Sequence, residues 1–437
     1  MNCKNSLVLL VFVTLFLAIR GEKKTINQLR DYEIVERNAV KRHTIARRSA
    51  ESGNNRNESV EHLVTFRAIN KDFNLLLSHN KDIITSDDFN AFAVDSNGRK
   101  EPIVVDSNEF YLGRVDGIKG SSVRAHIGSD GVMMASIQTG DETYEVEPIW
   151  RHLADHPNRD SMIIYKRSDV LTHSSTVSTA DQKSRQFCDF IKFGDNVTNE
   201  YIEAEERIRR KRDTLYDFSQ MAVSDEINAQ FRPTQTHCAI VLVADHYFFE
   251  SMGDGNQKTT INYLIHIIDR VNNIFNNTEW TDDERRPGFK GMGFFIKEIQ
   301  IHTEPTLDID HYNSLYSRRS VREVLEAFSL NKDNSQFCLA HLFTHRSFDG
   351  SVLGLAYVAS PRMSSVGGIC SPSYYGSTSS NTAGRNLYLN TGLTTTRNSF
   401  GQRIITREAV LVTAHEFGHN WGSEHDPHTE ECSPPAQ

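Results

Sequence analysis

Thr413-Ala414-His415-Glu416-Phe417-Gly418-His419-Asn420-Trp421-Gly422-Ser423-Glu424-His425-Asp426 carries most of the chemistry legible in this chain. His415 and His419 stand four residues apart, so on a helix both imidazoles leave one face a turn apart and can reach a single ion. A continuing helix would carry His425 away, so the chain must turn back, and Gly422 can adopt the positive φ such a turn needs. Three neutral imidazoles with one coordination position open describe catalytic rather than closed structural zinc. Glu416, beside the first histidine, is placed to take a proton from a water polarised by the ion, as the general base of a hydrolase does. The competing reading is an amphipathic helix whose histidines are ordinary polar residues; the added Gly and third His weigh against it.

A chain of 437 residues suggests two or three domains. Its formal charge is -9 with no dominant basic block, which argues against a nucleic-acid partner. Lys4 followed by the apolar run Leu7 to Ile19 reads as a signal peptide, residues 1–21, with removal expected between Ala18 and Lys23. No other run approaches transmembrane length, so the chain as given is expected to be secreted or luminal. With Cys3 lost, Cys188, Cys238, Cys338, Cys370 and Cys432 remain. An odd number in an oxidising compartment leaves a free thiol, a metal ligand or a missing partner. Sequons at Asn57, Asn196 and Asn276 agree with that compartment.

Residues 22–60 are polar and expected to be poorly ordered, apart from a stretch near Leu29 to Ile34. Residues 61–150 read as an all-β domain of hairpins. Its strands are expected at Leu63–Phe66, Phe73–Leu77, Ile103–Val105, Phe110–Val115, Ser122–Ile127, Val132–Ile137 and Tyr144–Ile149, with turns such as Asp116-Gly117 between them. Nothing there has catalytic spacing, and taken alone it could be a binding module. Residues 151–212 read as a polar linker that contains Cys188 and the basic run Arg209-Arg210-Lys211-Arg212. A charge run is usually a solvated face, but this one falls at a composition boundary in a secretory chain, where a furin-like convertase could cut between Arg212 and Asp213.

In residues 213–437 the pattern changes. Cys238 to Ala244 is a nearly continuous apolar run, the mark of a strand covered on both faces. Leu264, Ile267, Ile268, Val271 and Phe275 line one face of a helix, and Val321, Val324, Leu325 and Phe328 line another. Strands are expected at Gly293–Ile301, Phe337–Phe343 and Leu353–Val358. The order predicts an α/β domain with a mixed sheet and the His415 helix last. His266, His302, His311, His341 and His345 lack ligand-spaced neighbours and read as ordinary core or surface residues.

H-E-x-x-H-x-x-G-x-x-H followed by Asp426 resembles the zinc signature of the metzincins and of their disintegrin-and-metalloprotease branch, and its flanks look most like those of a membrane-anchored sheddase. The resemblance implies a twisted mixed sheet of the metzincin N-terminal subdomain preceded by an all-β propeptide domain, which in the family ends in a stretch like Tyr144 to Pro148. It implies one Zn2+ held by His415, His419 and His425, with Glu416 as base and Asp426 orienting or turn-forming. Cys188 would be a fourth, latency-imposing zinc ligand, although its flanks depart from the family's switch motif; a structural disulfide or an unpaired thiol is the alternative.

By resemblance Gly354, Leu355 and Ala356 form the edge strand that pairs with substrate backbone, against the plainer reading of an apolar edge. Cys238 would pair with Cys338, while Cys370 and Cys432 would bond each other, stay free or cross-link chains. Implied substrates are stalks of membrane proteins, cytokine precursors and Notch-like receptors among them. The chain's own propeptide would be the inhibitor, and the full-length form would be a single-pass type I protein of the plasma membrane. Metzincins carry a methionine turn beyond the third histidine, whereas the twelve residues after His425 contain no Met. The chain is therefore expected to be a truncated fragment or a short form, and a silent secreted competitor of the full-length protease is the alternative function.

Overall fold

The computed structural model describes residues 26–47, 59–80, 83–84, 88–171, 188–191, 235–280, 288–315, 320–360, 365–375 and 384–425. Its first half is built from β1 (Glu33–Val35), β2 (Lys41–Arg47), β3 (Ser59–Ala68), β4 (Lys71–His79), β5 (Asn90–Val94), β6 (Lys100–Pro102), β7 (Phe110–Val115), β8 (Ser122–Ile127), β9 (Met133–Thr139), β10 (Glu142–Pro148) and β11 (Met162–Lys166). All but β5 and β6 form one nine-stranded antiparallel sheet in the order β1-β11-β10-β9-β8-β7-β4-β3-β2. Alternate residues of these strands, among them Val64, Leu75, Ala135, Val146 and Ile164, collect into one core.

The second half contains β12 (Cys188–Ile191), β13 (His237–Ala244), β14 (Gly293–His302), β15 (Leu339–Thr344), β16 (Gly354–Tyr357), β17 (Ser373–Tyr375), β18 (Asn386–Tyr388) and β19 (Thr391–Thr395). Its helices are α1 (His246–Gly253), α2 (Gln257–Asn277), α3 (Val321–Ser329) and α4 (Thr406–Asn420). β13 is central, parallel to β14 on one side and to β15 on the other. Its alternation divides the core: Ile240, Leu242 and Ala244 face α1, α2 and α4, whereas Val241 and Val243 face α3. The α2 stripe expected from spacing is buried throughout, and α3 starts at a capping box between Ser320 and Glu323. Cys238 and Cys338 are bonded, tying β13 to the start of β15.

Three expectations are corrected. The polar segment 22–60 is not structureless, because it supplies β1 and β2. β2, Lys41 to Arg47, pairs only with β3 and is an edge strand, where charged residues are tolerated because one side stays wet. The segment 151–212 is likewise more than a linker, since the buried run Met162 to Tyr165 forms β11 and Cys188 to Ile191 forms β12. Ile103–Val105 is not a strand; the strand is Lys100–Pro102, the last ladder bond runs from the Ile103 amide to Ala91 O at 2.8 Å, and Val104 beyond it is 96% exposed.

The expected domains 61–150 and 213–437 do not each keep to one sheet either. The β5–β6 hairpin leaves the first sheet and adds to the second, β5 running parallel to β14 from Asn90 opposite Glu298 to Val94 opposite His302. With β12 at the other end, the second sheet reads β12-β16-β19-β15-β13-β14-β5-β6, so the earlier part of the chain covers both of its edges. The β sheet also docks on α2 through ion pairs: Arg124 with Asp269 at 2.5 Å, Glu145 with Arg270 at 2.5 Å and Glu109 with Lys258 at 2.6 Å.

Candidate metal centre

Helix α4 presents the three expected histidines together with the turn that follows it. Val410, Val412 and Phe417 are buried on the α2 side, where Phe294 lies 4.5 Å from Phe417 and 4.6 Å from Trp421 between ring centroids. The helix ends in a Schellman turn: the Gly422 amide donates to His419 O at 2.8 Å and the Ser423 amide to Gly418 O at 2.9 Å. Gly422 has φ 103°, the left-handed region that a side chain would strain. This reversal brings His425 back over the helix.

The Nε2 atoms of the three rings lie 2.9 Å (His415 to His419), 3.1 Å (His415 to His425) and 3.2 Å (His419 to His425) apart. Ligands of a tetrahedral zinc with bonds of about 2.0–2.1 Å stand about 3.3 Å from one another, so the cluster fits the ion. The donor chemistry agrees: His419 Nδ1 lies 2.6 Å from the Ser423 carbonyl, which can only accept, so that nitrogen carries the proton and Nε2 turns its lone pair inward. Among the described residues this is the one cluster of three or more His, Cys, Asp or Glu that could hold a metal.

Glu416, the residue after His415 on the helix, is fully buried. Its place depends on Gly354: a Cβ there would lie 2.3 Å from Glu416 Oε1, so any larger residue would force the carboxylate to shift. Gly354→Ala is therefore expected to keep metal stoichiometry and to lower peptide hydrolysis about 100-fold, the effect of displacing a catalytic group by ~1 Å. Unchanged kcat/KM would show that the carboxylate tolerates the shift.

Gly354, Leu355 and Ala356 lie in β16 beside this helix, and their outer edge is taken by β12. The two strands run parallel, Cys188 opposite Gly354 and Phe190 opposite Ala356. Phe190 packs at 5.1 Å from the His419 ring and 5.0 Å from the His425 ring. Cys188 is thus placed by its backbone next to the centre, while its side chain lies outside the described residues. Arg212, Asp213, Asn57, Asn196, Asp426, Cys432 and the expected signal segment lie outside them as well. Asn276 sits half-buried in the last turn of α2, and Cys370 is free and exposed.

His266, His302, His341 and His345 are buried and join no metal cluster. Reading by motif missed Asn420, whose fully buried amide donates to Tyr357 O and Thr391 O at 3.0 Å each and pins the end of α4 to β16 and β19. A polar residue next to a ligand on a helix of buried neighbours is the signal that could have found it.

Residues 234–437 match the family model described as metallo-peptidase family M12. The chain is 36% identical over 217 residues to the disintegrin and metalloproteinase domain-containing protein 17 homolog of Caenorhabditis elegans, covering 46% of this chain and 31% of that protein. It is 27% identical over 384 residues to protein 10 of the same series from Rattus norvegicus, covering 85% of this chain and 46% of that one. Human protein 10 is 28% identical over 380 residues, 84% of this chain and 45% of its own length.

Residues 234–437 are an M12 metallopeptidase domain, and the chain as a whole is similar to the disintegrin and metalloproteinase proteins. The α/β half is its M12 metallopeptidase domain, and the all-β region before it fits a propeptide-like domain. The M12 family is zinc-dependent, in keeping with the triad. The chain spans about a third to a half of the length of these relatives. Among the described residues no helix is long and apolar enough to cross a membrane.

Proposed function

We propose that the chain is the zymogen of a zinc metalloendopeptidase that releases ectodomains of membrane proteins by cutting their extended stalks. The observation that carries this reading is the convergence of three Nε2 atoms, with the buried Glu416 next to the first of these histidines in the helix. Zinc, when bound, polarises both the attacking water and the scissile carbonyl. Glu416 takes the water proton and returns it to the leaving amine. The β16 edge, Gly354 to Ala356, receives substrate backbone as an added strand, which favours extended stalks such as those of cytokine precursors or Notch-like receptors.

Latency follows from the same edge. β12 occupies it, Phe190 covers the His419 and His425 rings, and Cys188 supplies a thiolate as the further ligand that holds the centre closed. A furin-like convertase cutting between Arg212 and Asp213 frees the propeptide, in a secretory route that takes the full-length protein to the plasma membrane.

The test is zinc content and hydrolysis of an internally quenched stalk peptide by the purified chain, before and after convertase treatment. One zinc per chain and turnover only after the cut are expected. A chain that holds no zinc overturns the reading. Bound zinc with turnover equal to that of Glu416→Ala also overturns it, and would leave the chain as a silent competitor of the active protease.

A further inference from the structure

Helix α4 has no cap of its own. The residue before its first turn is Ile405, whose side chain offers no acceptor. The first amides of a helix point outward without intrahelical partners, and this end carries the positive pole of the dipole. What meets it comes from the other half of the chain. Glu147 of β10 lies with both carboxylate oxygens 3.1 Å from the Thr406 amide, and it also accepts from the Thr406 hydroxyl. The carboxylate is 2% exposed and is fixed by the Tyr165 hydroxyl at 2.5 Å and by His152 Nε2 at 3.0 Å.

Two residues earlier on the same strand, Glu145 pairs with Arg270 of α2, so β10 grips two helices of the protease half at once. Burial alone would raise the Glu147 carboxyl, but His152 and the bonds from His152, Thr406 and Tyr165 outweigh it and bring it to about 2. It is therefore an anion wherever the protein is folded near neutral pH.

We infer that Glu147 is the N-terminal cap of the ligand-bearing helix, supplied by the β domain from 259 residues upstream, and that it acts as a positioning residue for His415 and His419. It touches no reacting group. Its contribution is to hold the first turn of α4 wound and to set where that helix begins against β10. The propeptide-like domain thus acts on the centre from both sides, with Phe190 over the rings and Glu147 at the far end of the helix that carries two of them.

The inference builds on reading α4 as the helix of the zinc site, so its test reads helix protection rather than turnover. In the full chain, amide hydrogen exchange of a peptide covering residues 404–412 is compared with that of α2, for wild type, Glu147→Ala, Glu147→Gln and Glu147→Asp. Loss of a helix cap corresponds to about tenfold in the opening equilibrium. Glu147→Ala is expected to speed exchange in the first turn of α4 about tenfold or more while α2 stays at the wild-type rate. Glu147→Gln keeps an acceptor without the charge and should fall between the two. Glu147→Asp keeps the charge one methylene short of Thr406 and should resemble the alanine variant, which covers the case in which Glu147→Ala does not fold.

Wild-type protection of residues 404–412 in the alanine or aspartate variant overturns the inference. So does equal loosening of α2 and α4, which would make Glu147 an ordinary core anchor. A chain that binds no zinc yet shows the α4-specific change would remove the zinc-site reading and leave the cap standing.

Discussion

Glu416→Gln is expected to lower hydrolysis of a stalk peptide by the convertase-treated chain by about 10²–10⁴-fold, with zinc content unchanged. The substitution keeps the shape of the side chain, its burial and the gap left by Gly354, and removes only the ability to take a proton. A structural role would behave differently, because an amide of the same size in the same slot would preserve both folding and turnover. His425→Ala should instead lose the metal, since His425 contributes one of the three nitrogens within 3.2 Å of each other. Metal analysis beside kcat/KM separates the two effects. Equal turnover in wild type and Glu416→Gln would end the general-base assignment.

The second large effect is on acid stability. His302, His341 and His345 are pushed down to about 3, in each case chiefly because burial penalises the charged ring, with His311, His246 and Lys100 adding to it at His302 and Arg403 and Arg397 at His345. These groups stay neutral in the folded chain while the unfolded chain protonates them near pH ~6.5. Their contribution is fully present above that pH and is lost progressively as pH falls from about 6.5 toward 3.

Each contributes on the order of 1 kcal/mol per pH unit over that window; His266, which burial also lowers well below its usual value, adds to the loss, and Glu408, which burial raises to about 7, opposes it. Glu109 and Glu147, both brought to about 2 by partners that outweigh their burial, extend the loss below the ordinary carboxylate range. Denaturant melts between pH 7.5 and 4 should show the unfolding midpoint falling steadily. His341→Gln, which can still bond Thr394, should flatten that dependence by on the order of 1 kcal/mol per pH unit. The same pH dependence in wild type and His341→Gln would show that this ring is not held neutral.

The centre was legible because its determinants are local. Four residues between His415 and His419, and a glycine where the chain must reverse, are consequences of helix pitch and of allowed φ, and they hold whatever surrounds them. The same is true of the α2 stripe and of the double-faced apolar run in β13, where period and continuity report burial directly. β2 was missed because an edge strand need not alternate, and β11 because a short apolar run was averaged into polar flanks.

By itself, then, the amino-acid order pointed to helices α2, α3 and α4, the central strand and the three histidines that converge beside Glu416, since each depends on residues within one or two turns or one strand. Only the tertiary structure decided that β12 lies on the β16 edge, that β5 joins β14, that Gly354 makes room for Glu416 and that Glu147 caps α4. Those contacts join residues from 62 to 259 positions apart in the chain. No periodicity spans such distances; the pairings are selected when open strand edges and helix ends must find partners as water is excluded.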